Sequence, residues 1–401
     1  MTGCHERGKR RAASGPLFVL ATLVALLLTA SPALAKTARE PSPGELFARA
    51  LGNDDVSYTA TRTSLFWSDN GQTRALVARV YKDGERVRYE YPARGNRPAS
   101  VVIETPRRLS FVLSARDHVR VTTADRKPDV DLEALRVKLA LANYRWRYEP
   151  STSPRRRVVS AWRPGAAHPS QRFWIATSSF VIVRSERYGP GGELRASWSL
   201  DSLNVVPSLP SNLFEPPAGL EVEVKQVSLP EVVHIDDVRA RVGFEPVRLR
   251  DDKIPAGYRL VDVSIEPAES NLSQSAVRLT YSDGLDAFSL LETRRLPHAT
   301  EKMPADAARD VDLIDTDAQL FTSAEVNLVH WQDAQRRYTL MGSMPPRVLM
   351  ELSRGVIAST PAARPQATAS GHATIPTPKR RRGFTEIITR GWSRFLRLFG
   401  L

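Results

Sequence analysis

Short runs of alternating apolar and polar residues, separated by turn residues, fill the first half of the chain. Residues 56–65 and 74–80 alternate in this way, and Asp69, Asn70 and Gly71 between them supply the positive-φ positions that a tight hairpin needs. Further alternating runs follow at residues 86–91, 101–104, 109–113 and 118–122. Because successive runs are joined by hairpin turns, the pattern predicts an antiparallel meander rather than a sandwich.

Residues 129–143 interrupt this alternation. Leu132, Leu135, Leu139 and Ala142 recur at intervals of three and four residues, which predicts one face of a helix. Strands resume at residues 143–148, 157–162, 172–176, 180–188 and 194–205, and a short amphipathic helix is predicted at 44–51. We therefore predict an α+β, mostly β fold, in which residues 36–206 form an unclosed antiparallel β-barrel with a helical lid and an apolar concave face.

A proline-rich segment ends the predicted sheet. Pro207, Pro210, Pro216 and Pro217 stiffen the backbone, so we predict a linker at residues 207–230. Beyond it, helical patterns at 234–242 and 345–357 flank strand patterns at 258–265, 276–281, 288–293, 325–331 and 338–342. These patterns predict a smaller α+β domain over residues 231–358.

The first 35 residues have the three parts of an export signal. A basic start is followed by an apolar core at residues 17–30 and by the small-x-small cleavage pattern Ala33-Leu34-Ala35. We expect export to the periplasm or extracytoplasmic envelope, with the mature chain beginning near Lys36. Cys4 precedes the apolar core, so the expected mature chain has no thiol for disulfides, thiolate catalysis or cysteine metal sites.

The charge of the chain restricts its partners. The formal net charge is +13 at pH 7, which favours anionic partners. Outside the cytoplasm these are mainly lipid headgroups, acidic polymers or acidic proteins, so we expect no nucleic acid. The alternative is that most of the arginines simply solvate the surface.

Motifs of catalysis and metal binding are missing from the sequence. It contains no Gly-x-Ser-x-Gly, His-Glu-x-x-His, phosphate-binding glycine loop or Ser-x-x-Lys pair, so we expect neither an enzyme nor a cofactor. The histidines beyond the signal do not fall at ligand spacing, and we expect no metal site; they are His118, His168, His234, His298, His330 and His372. Asp310, Asp312, Asp315 and Asp317 are predicted to form a solvated acidic loop, with docking to a basic partner as the alternative.

The order of several local patterns resembles a known family. In the second predicted domain, residues 242–247 (VGFEPV), 254–258 (IPAGY), 277–284 (VRLTYSDG), 329–331 (VHW) and 338–342 (YTLMG) follow one another before a terminal helix. This succession resembles the C-terminal domain of RseB/MucB-type sigma-factor regulatory proteins. In the first domain, residues 157–162 (RVVSAW), 172–175 (RFWI) and 181–184 (VIVR) resemble the second half of that family's lipoprotein-carrier-like, LolA-type fold.

The resemblance implies an unclosed β-barrel that holds acyl chains, joined to a smaller domain that contacts a membrane-bound anti-sigma-like protein. One scaffold serves both sensors and carriers, so fold alone does not separate these two functions. We expect a regulator in envelope stress signalling that binds lipid or lipoprotein acyl chains. The alternatives are a LolA-like lipid or lipoprotein carrier, a structural protein with a filled barrel and, last, an extracellular hydrolase.

Aromatic and leucine side chains on the first domain are candidates for lining a lipid cavity. A half-barrel wider than its own side chains leaves room for an acyl chain, worth about 0.8 kcal/mol per buried CH₂. The alternative is an ordinary filled core. The candidates are Trp67, Tyr89, Tyr91, Leu132, Leu135, Leu139, Trp146, Trp162, Trp174 and Trp198.

The C-terminal tail is predicted to be a basic amphipathic helix. A flexible linker at residues 359–378 precedes residues 379–401, in which aromatic and arginine residues alternate at helical spacing. We expect this helix to lie on an anionic membrane surface, with docking to a protein groove or simple disorder as alternatives. The candidate membrane contacts are Lys379, Arg380, Arg381, Arg382, Phe384, Ile388, Trp392, Phe395 and Phe399.

Overall fold

The computed structural model describes residues 39–359 except for 69–70, 72, 94–98, 115–118, 126–131, 217–221, 227–229, 267–274, 296–307, 314–315 and 324–325. The predicted export signal and the predicted C-terminal helix lie outside these residues. Both sheets of the fold belong to one compact unit, which begins at Pro43.

The first lobe is built on a twelve-stranded sheet. Its first half contains α1 (Pro43–Leu51), β1 (Ser57–Trp67), β2 (Thr73–Asp83), β3 (Arg86–Tyr91), β4 (Ala99–Glu104), β5 (Arg108–Ser114) and β6 (Val119–Asp125). Its second half contains α2 (Leu132–Asn143), β7 (Arg145–Glu149), β8 (Arg156–Trp162), β9 (Gln171–Ala176), β10 (Ile182–Tyr188) and β11 (Leu194–Val206). The last strand of the sheet is β12 (Val222–Gln226).

Two meanders make up this sheet, and one long-range pair joins them. Strands β1 to β6 follow one another in space, as do β7 to β11, and β1 pairs antiparallel with β11 from Ser57–Val206 to Phe66–Ala196. The outermost strands are β12 and β7, so the sheet does not close on itself. The predicted mostly β fold with an unclosed antiparallel sheet is thus confirmed.

Helix α1 covers one face of the second meander. Its Phe47 ring stacks on Trp146 of β7 at 4.3 Å between centroids and lies 4.8 Å from Phe173 of β9. Leu46 and Phe47 are almost fully buried there. We call this the inner face of the sheet, and the opposite side the outer face.

The second lobe is an eight-stranded antiparallel sheet, and helices from the beginning and the end of its sequence pack against it. A 3₁₀ turn at Ser211–Phe214 precedes β12. The second lobe then begins with β13 (Glu231–Val232), a 3₁₀ turn at Ile235–Asp237, α3 (Val238–Val242) and a 3₁₀ turn at Asp251–Lys253. The sheet continues with β14 (Arg259–Glu266), β15 (Ala276–Ser282), β16 (Ala287–Arg294), β17 (Ala308–Asp312), β18 (Asp317–Thr322), β19 (Asn327–Gln332) and β20 (Arg336–Gly342), and α4 (Pro346–Ser359) closes the lobe.

The core of the second lobe surrounds β15 and β16. Every residue of β15 is buried, which shows that both faces of this strand are covered. Tyr281 stacks on Phe288 at 5.0 Å, and Trp331 stacks on Tyr338 at 5.2 Å. Such aromatic pairs add about 0.5–1.5 kcal/mol beyond the area they bury.

Two expectations from the sequence need correction. The acidic residues of the second lobe do not form a loop: Asp310 and Asp312 lie in β17, and Asp317 begins β18, so this segment is a hairpin. Asp310 and Asp312 occupy exposed positions of an edge strand. These charged side chains hide the residue pattern by which a strand is predicted from the sequence. The proline-rich segment, expected to be only a linker, contributes β12, which pairs in parallel with β6.

The turn between β15 and β16 joins the lobes. Gly284 in this turn has φ of +102°, and a Cβ placed on it would lie 2.2 Å from the backbone nitrogen of Ala140 in α2. A side chain does not fit between these two backbones. Glycine is therefore required here for its conformation and also for its size.

Gly284→Ala is expected to destabilise the protein well beyond the cost of its backbone conformation. A suitable control is Gly165→Ala, since Gly165 also has positive φ (+77°) but a Cβ placed on it would meet nothing within 4 Å. The control should cost about 1–2 kcal/mol, and Gly284→Ala about 1–3 kcal/mol more because α2 must shift. Urea denaturation of both variants measures this, and equal losses would show that the close approach is unimportant.

Candidate functional site: a basic groove between the lobes

A buried polar cluster holds the two lobes together. Asp283, on the β15–β16 turn, is 1% exposed, and its Oδ2 accepts hydrogen bonds from the Tyr144 hydroxyl at 2.6 Å and from Arg163 at 2.7 Å. Asn143 at the end of α2 donates to the Asp283 carbonyl at 2.9 Å and to the Gly257 carbonyl at 2.8 Å. We call Asn143, Tyr144, Arg163 and Asp283 the interlobe cluster.

Burial dominates the electrostatics of this cluster. It raises the pKa of Asp283, an effect that the adjacent Arg163 guanidinium opposes. Burial also raises the pKa of Tyr144, and the Asp283 carboxylate raises it further. Tyr144 therefore remains a hydrogen-bond donor throughout the physiological pH range. The second oxygen of Asp283 accepts from the backbone nitrogens of Leu285 and Asp286, which fixes the turn.

A groove of about 820 Å³ runs beside this cluster, between the first lobe and the second. The first lobe contributes the loop after β8 and the hairpin between β10 and β11; the second contributes β17, β18 and the start of α4. Its basic lining residues are Arg163, His168, Arg187, Arg195 and Arg309, and Asp286 is the one acidic residue among the described residues that line it.

A smaller hollow of about 530 Å³ adjoins this groove and is also lined by charged side chains. Arg195 and Arg309 line both spaces, and Arg347 and Glu193 join them in the smaller one. Burial and the neighbouring Arg347 lower the pKa of Arg195. Glu193 already pairs with Arg195 at 2.7 Å, so an anionic ligand here would compete with this carboxylate.

A small cavity lies on the inner face of the sheet. Phe47, Phe173, Trp198 and Leu285 help to line a cavity of about 80 Å³ beneath the helices. An apolar cavity of about 150 Å³ holds one benzene molecule, so this one is too small for an acyl chain. An acyl chain could enter this cavity only if α1, α2 or the β15–β16 turn moved away from the sheet.

The predicted lipid-cavity residues divide between the two faces. Paired residues share a face and neighbours along a strand alternate, which puts Tyr89, Tyr91, Trp146 and Trp198 on the inner face. The same register puts Trp67, Trp162 and Trp174 on the outer face. On α2, Leu139 is buried, and Leu132 and Leu135 are half-buried.

The inner face is not apolar throughout. Arg62 on β1 is 8% exposed, and its guanidinium lies 4.6 Å from the Trp198 ring centroid. Tyr58 and Tyr91 lie close enough to Arg62 to feel its charge, and burial raises the pKa of Tyr91 to about 12. The expectation of an apolar concave face is wrong for this part of the sheet, where a buried cation and phenol groups occur together.

Sequence patterns could not identify the groove, because its lining comes from separate segments between Trp67 and Val348.

In the part of the chain that the structure describes, no group of three or more His, Cys, Asp or Glu residues is arranged to hold a metal ion. No helix among the described residues is long and apolar enough to span a bilayer.

Several solved structures are similar to this chain. A chain of the Pseudomonas aeruginosa MucA/MucB complex aligns with 78% of this chain and 96% of its own length, at 13% identity and a TM-score of 0.50. A structure of MucB in complex with MucA(peri) covers 80% of this chain and 100% of its own, at 14% identity and 0.48. A LolA superfamily protein from Nitrosomonas europaea covers 44% and 99%, at 10% identity and 0.23. No family model and no curated protein matches the chain.

The first of these alignments is longer than either lobe alone, so the similarity extends across both. The resemblance to RseB/MucB-type proteins that the sequence motifs indicated is therefore confirmed at the level of the fold.

Tyr144→Phe is expected to weaken the contact between the lobes in a pH-dependent way. The hydroxyl donates to a buried carboxylate, and hydrogen bonds to charged groups contribute about 1.5–3 kcal/mol. Burial raises the pKa of Asp283 in the folded protein above its value in the unfolded protein. As the pH rises, the unfolded state therefore loses its proton first, and the free energy of unfolding falls until the pH exceeds the pKa of the folded state. Tyr144→Phe lacks the hydroxyl that donates to the ionised Asp283 carboxylate. Its loss of stability relative to the parent should therefore grow over this pH interval.

The measurement is the free energy of unfolding of both proteins from pH 4 to pH 8, with Tyr148→Phe as the control. Tyr148 is 38% exposed, and its substitution should change stability by less than about 0.5 kcal/mol at every pH. A deficit for Tyr144→Phe that stayed constant with pH would show that its hydroxyl does not stabilise the Asp283 carboxylate.

Proposed function

We propose that this protein is an extracytoplasmic regulator that binds a membrane-bound, anti-sigma-like protein and responds to acyl chains of lipid or lipoprotein. The observation that carries the proposal is the two-lobed fold shared with a chain of the MucA/MucB complex. The predicted export signal supports an extracytoplasmic location. No bond is made or broken in this function, in keeping with neighbours that are regulatory or carrier proteins.

The interlobe groove is the surface that best suits the protein partner. It receives residues from both lobes and has five basic residues against one acid in its described lining. Arg163 and Arg187 pair with Asp283 and Asp286, and Arg195 and Arg309 add further positive charge. An extended segment rich in Asp or Glu would complement it, and its carboxylates would accept paired hydrogen bonds from guanidinium groups.

An acyl chain would act from the inner face. The small cavity there and the groove have Gln171 and Arg187 in common, and they also share the β15–β16 turn, with Leu285 at the cavity and Asp286 at the groove. A chain that enlarged the cavity would displace this turn and so alter the groove. If lipid weakens partner binding, the partner must weaken lipid binding by the same factor.

The test of partner binding uses the extracytoplasmic segments of membrane-anchored anti-sigma-like proteins from the same organism, titrated against the exported full chain by calorimetry. We expect one to bind, and the double variant Arg195→Glu/Arg309→Glu to weaken binding at least tenfold through like-charge repulsion. The matched control is Arg239→Glu/Arg248→Glu, two exposed arginines of the second lobe outside the groove. If both double variants bound the partner with equal affinity, the groove would not be the partner site. If no segment bound, the protein would not be a regulator of this kind.

The lipid response is tested by repeating the titration with a short-chain lysophospholipid below its micelle concentration. A fall in partner affinity with rising lipid supports the regulator. If lipid binds but partner affinity stays unchanged, the sensing mechanism is wrong and a carrier remains. The predicted basic helix at residues 379–401 remains a proposed membrane contact, as does the set of inner-face aromatic residues for lipid.

A further inference from the structure

The outer face of the second meander carries rows of arginine and aromatic side chains. Across β7 to β10, Arg147, Ser160, Arg172 and Glu186 pair to form one row. Glu149, Val158, Trp174 and Arg184 form the next row, and Arg145 pairs with Trp162 beside them. We call the set Arg145, Arg147, Arg156, Trp162, Arg172, Trp174 and Arg184 the arginine–tryptophan face.

Its tryptophans are held in place by the arginines. The Arg147 guanidinium carbon lies 4.7 Å from the Trp162 ring centroid, and that of Arg184 lies 4.8 Å from Trp174. The Trp162 indole nitrogen donates to the hydroxyl of the buried Ser160 at 2.8 Å. Both rings are half-exposed, so each presents an apolar surface next to a cation.

The positive charge of this face is not balanced. Its two acids are already engaged, Glu149 with Arg172 at 3.5 Å and Glu186 with Arg184. Arg145, Arg147 and Arg156 are all exposed. The neighbouring Arg155 and Arg157 at the start of β8 are exposed as well, so the potential over this part of the molecule is positive.

No helix of the described part of the protein packs on this face. The helix that packs on β7, β8 and β9 is α1, and it does so on the inner face through Phe47. Strand β7 is also the edge of the sheet. The arginine–tryptophan face is therefore open to a large partner.

We propose that the arginine–tryptophan face docks the protein on a bilayer rich in anionic phospholipid. The cations spread over four adjacent strands, which at about 4.8 Å per strand is a width of about 14 Å. Such a two-dimensional array matches headgroup phosphates in a plane better than it matches one extended acidic chain. Tryptophan rings settle at the membrane interface, where one part of the ring is apolar and the N–H is polar. This docking is independent of the partner groove.

The experiment measures co-sedimentation of the full chain with phosphatidylglycerol/phosphatidylcholine vesicles and with pure phosphatidylcholine vesicles. The test variant is Arg145→Glu/Arg147→Glu/Arg156→Glu, and the control is Arg239→Glu/Arg248→Glu/Arg259→Glu, which changes the net charge equally at exposed positions of the second lobe. Each cation near an anionic surface contributes about a factor of five. We expect the test variant to bind anionic vesicles roughly a hundredfold more weakly, and the control to stay within about tenfold of the parent.

A second readout locates the contact. Thr152→Cys in a Cys4→Ser background places a fluorescent label in the exposed turn between β7 and β8, and spin-labelled lipid should quench it on anionic vesicles. The proposal would be overturned if both triple variants lost vesicle binding equally, if the test variant lost none, or if the label stayed unquenched. Binding to polyglutamate without binding to vesicles would also overturn it and would assign the face to a soluble polyanion. Partner affinity should be unaffected by the test variant, so this result stands apart from the proposed function.

Discussion

The pairing of β1 with β11 is the interaction on which the first lobe depends. Each meander consists of strands joined by local hairpins, whereas β1 and β11 bring residues about 130 to 150 positions apart into register, as in Ser57–Val206. A shift by one residue would move Arg62 and Trp198 to opposite faces, since side chains alternate with a period of two. The division into inner and outer faces, and with it the placement of every surface on this lobe, follows from this one register.

The second lobe is attached to this sheet through a buried polar contact beside an apolar one, in which Leu285 packs into the core around Phe47 and Phe173. Taking the Asp283 carboxylate out of water is costly, and the cost is offset only because two side chains and two backbone nitrogens donate to it. The geometry of such a site is strict, because a displaced donor leaves a buried charge unsatisfied. Gly284 adds a steric condition, since the turn fits against α2 only without a side chain. Together these contacts define one relative position of the lobes.

Local sequence patterns predicted the hairpins well, and the reason is physical. The alternation in β1 and β2 and the helical spacing of α2 are both short-range signals, and the structure has these elements where they were expected. What could not be predicted was set by long-range contact. Nothing near Trp162 or Trp174 in the sequence says which face of the sheet α1 will cover, and their assignment to a lipid cavity assumed the inner side. The charged strand β17 was missed because its pairing partner β18, and not its own composition, makes it a strand.

The arginines of the groove illustrate the same limit. Arg163, Arg195 and Arg309 are far apart in the sequence, where they look like scattered surface charges. Folding gathers them along one groove while Asp286 remains the acid beside them. The composition shows the excess of positive charge, but only the tertiary structure shows which arginines come together in the groove.

The β15–β16 turn lies between the small cavity on the inner face and the groove. Leu285 faces the small cavity on the inner face, Asp286 faces the groove, and Asp283 between the lobes restrains both. In the proposed function, an acyl chain could enter this cavity of about 80 Å³ only by displacing the turn. Displacing the turn would pull Asp283 away from its donors, so lipid entry would act against the hydrogen bonds that join the lobes. A partner that contacts both lobes would sense this change through the groove.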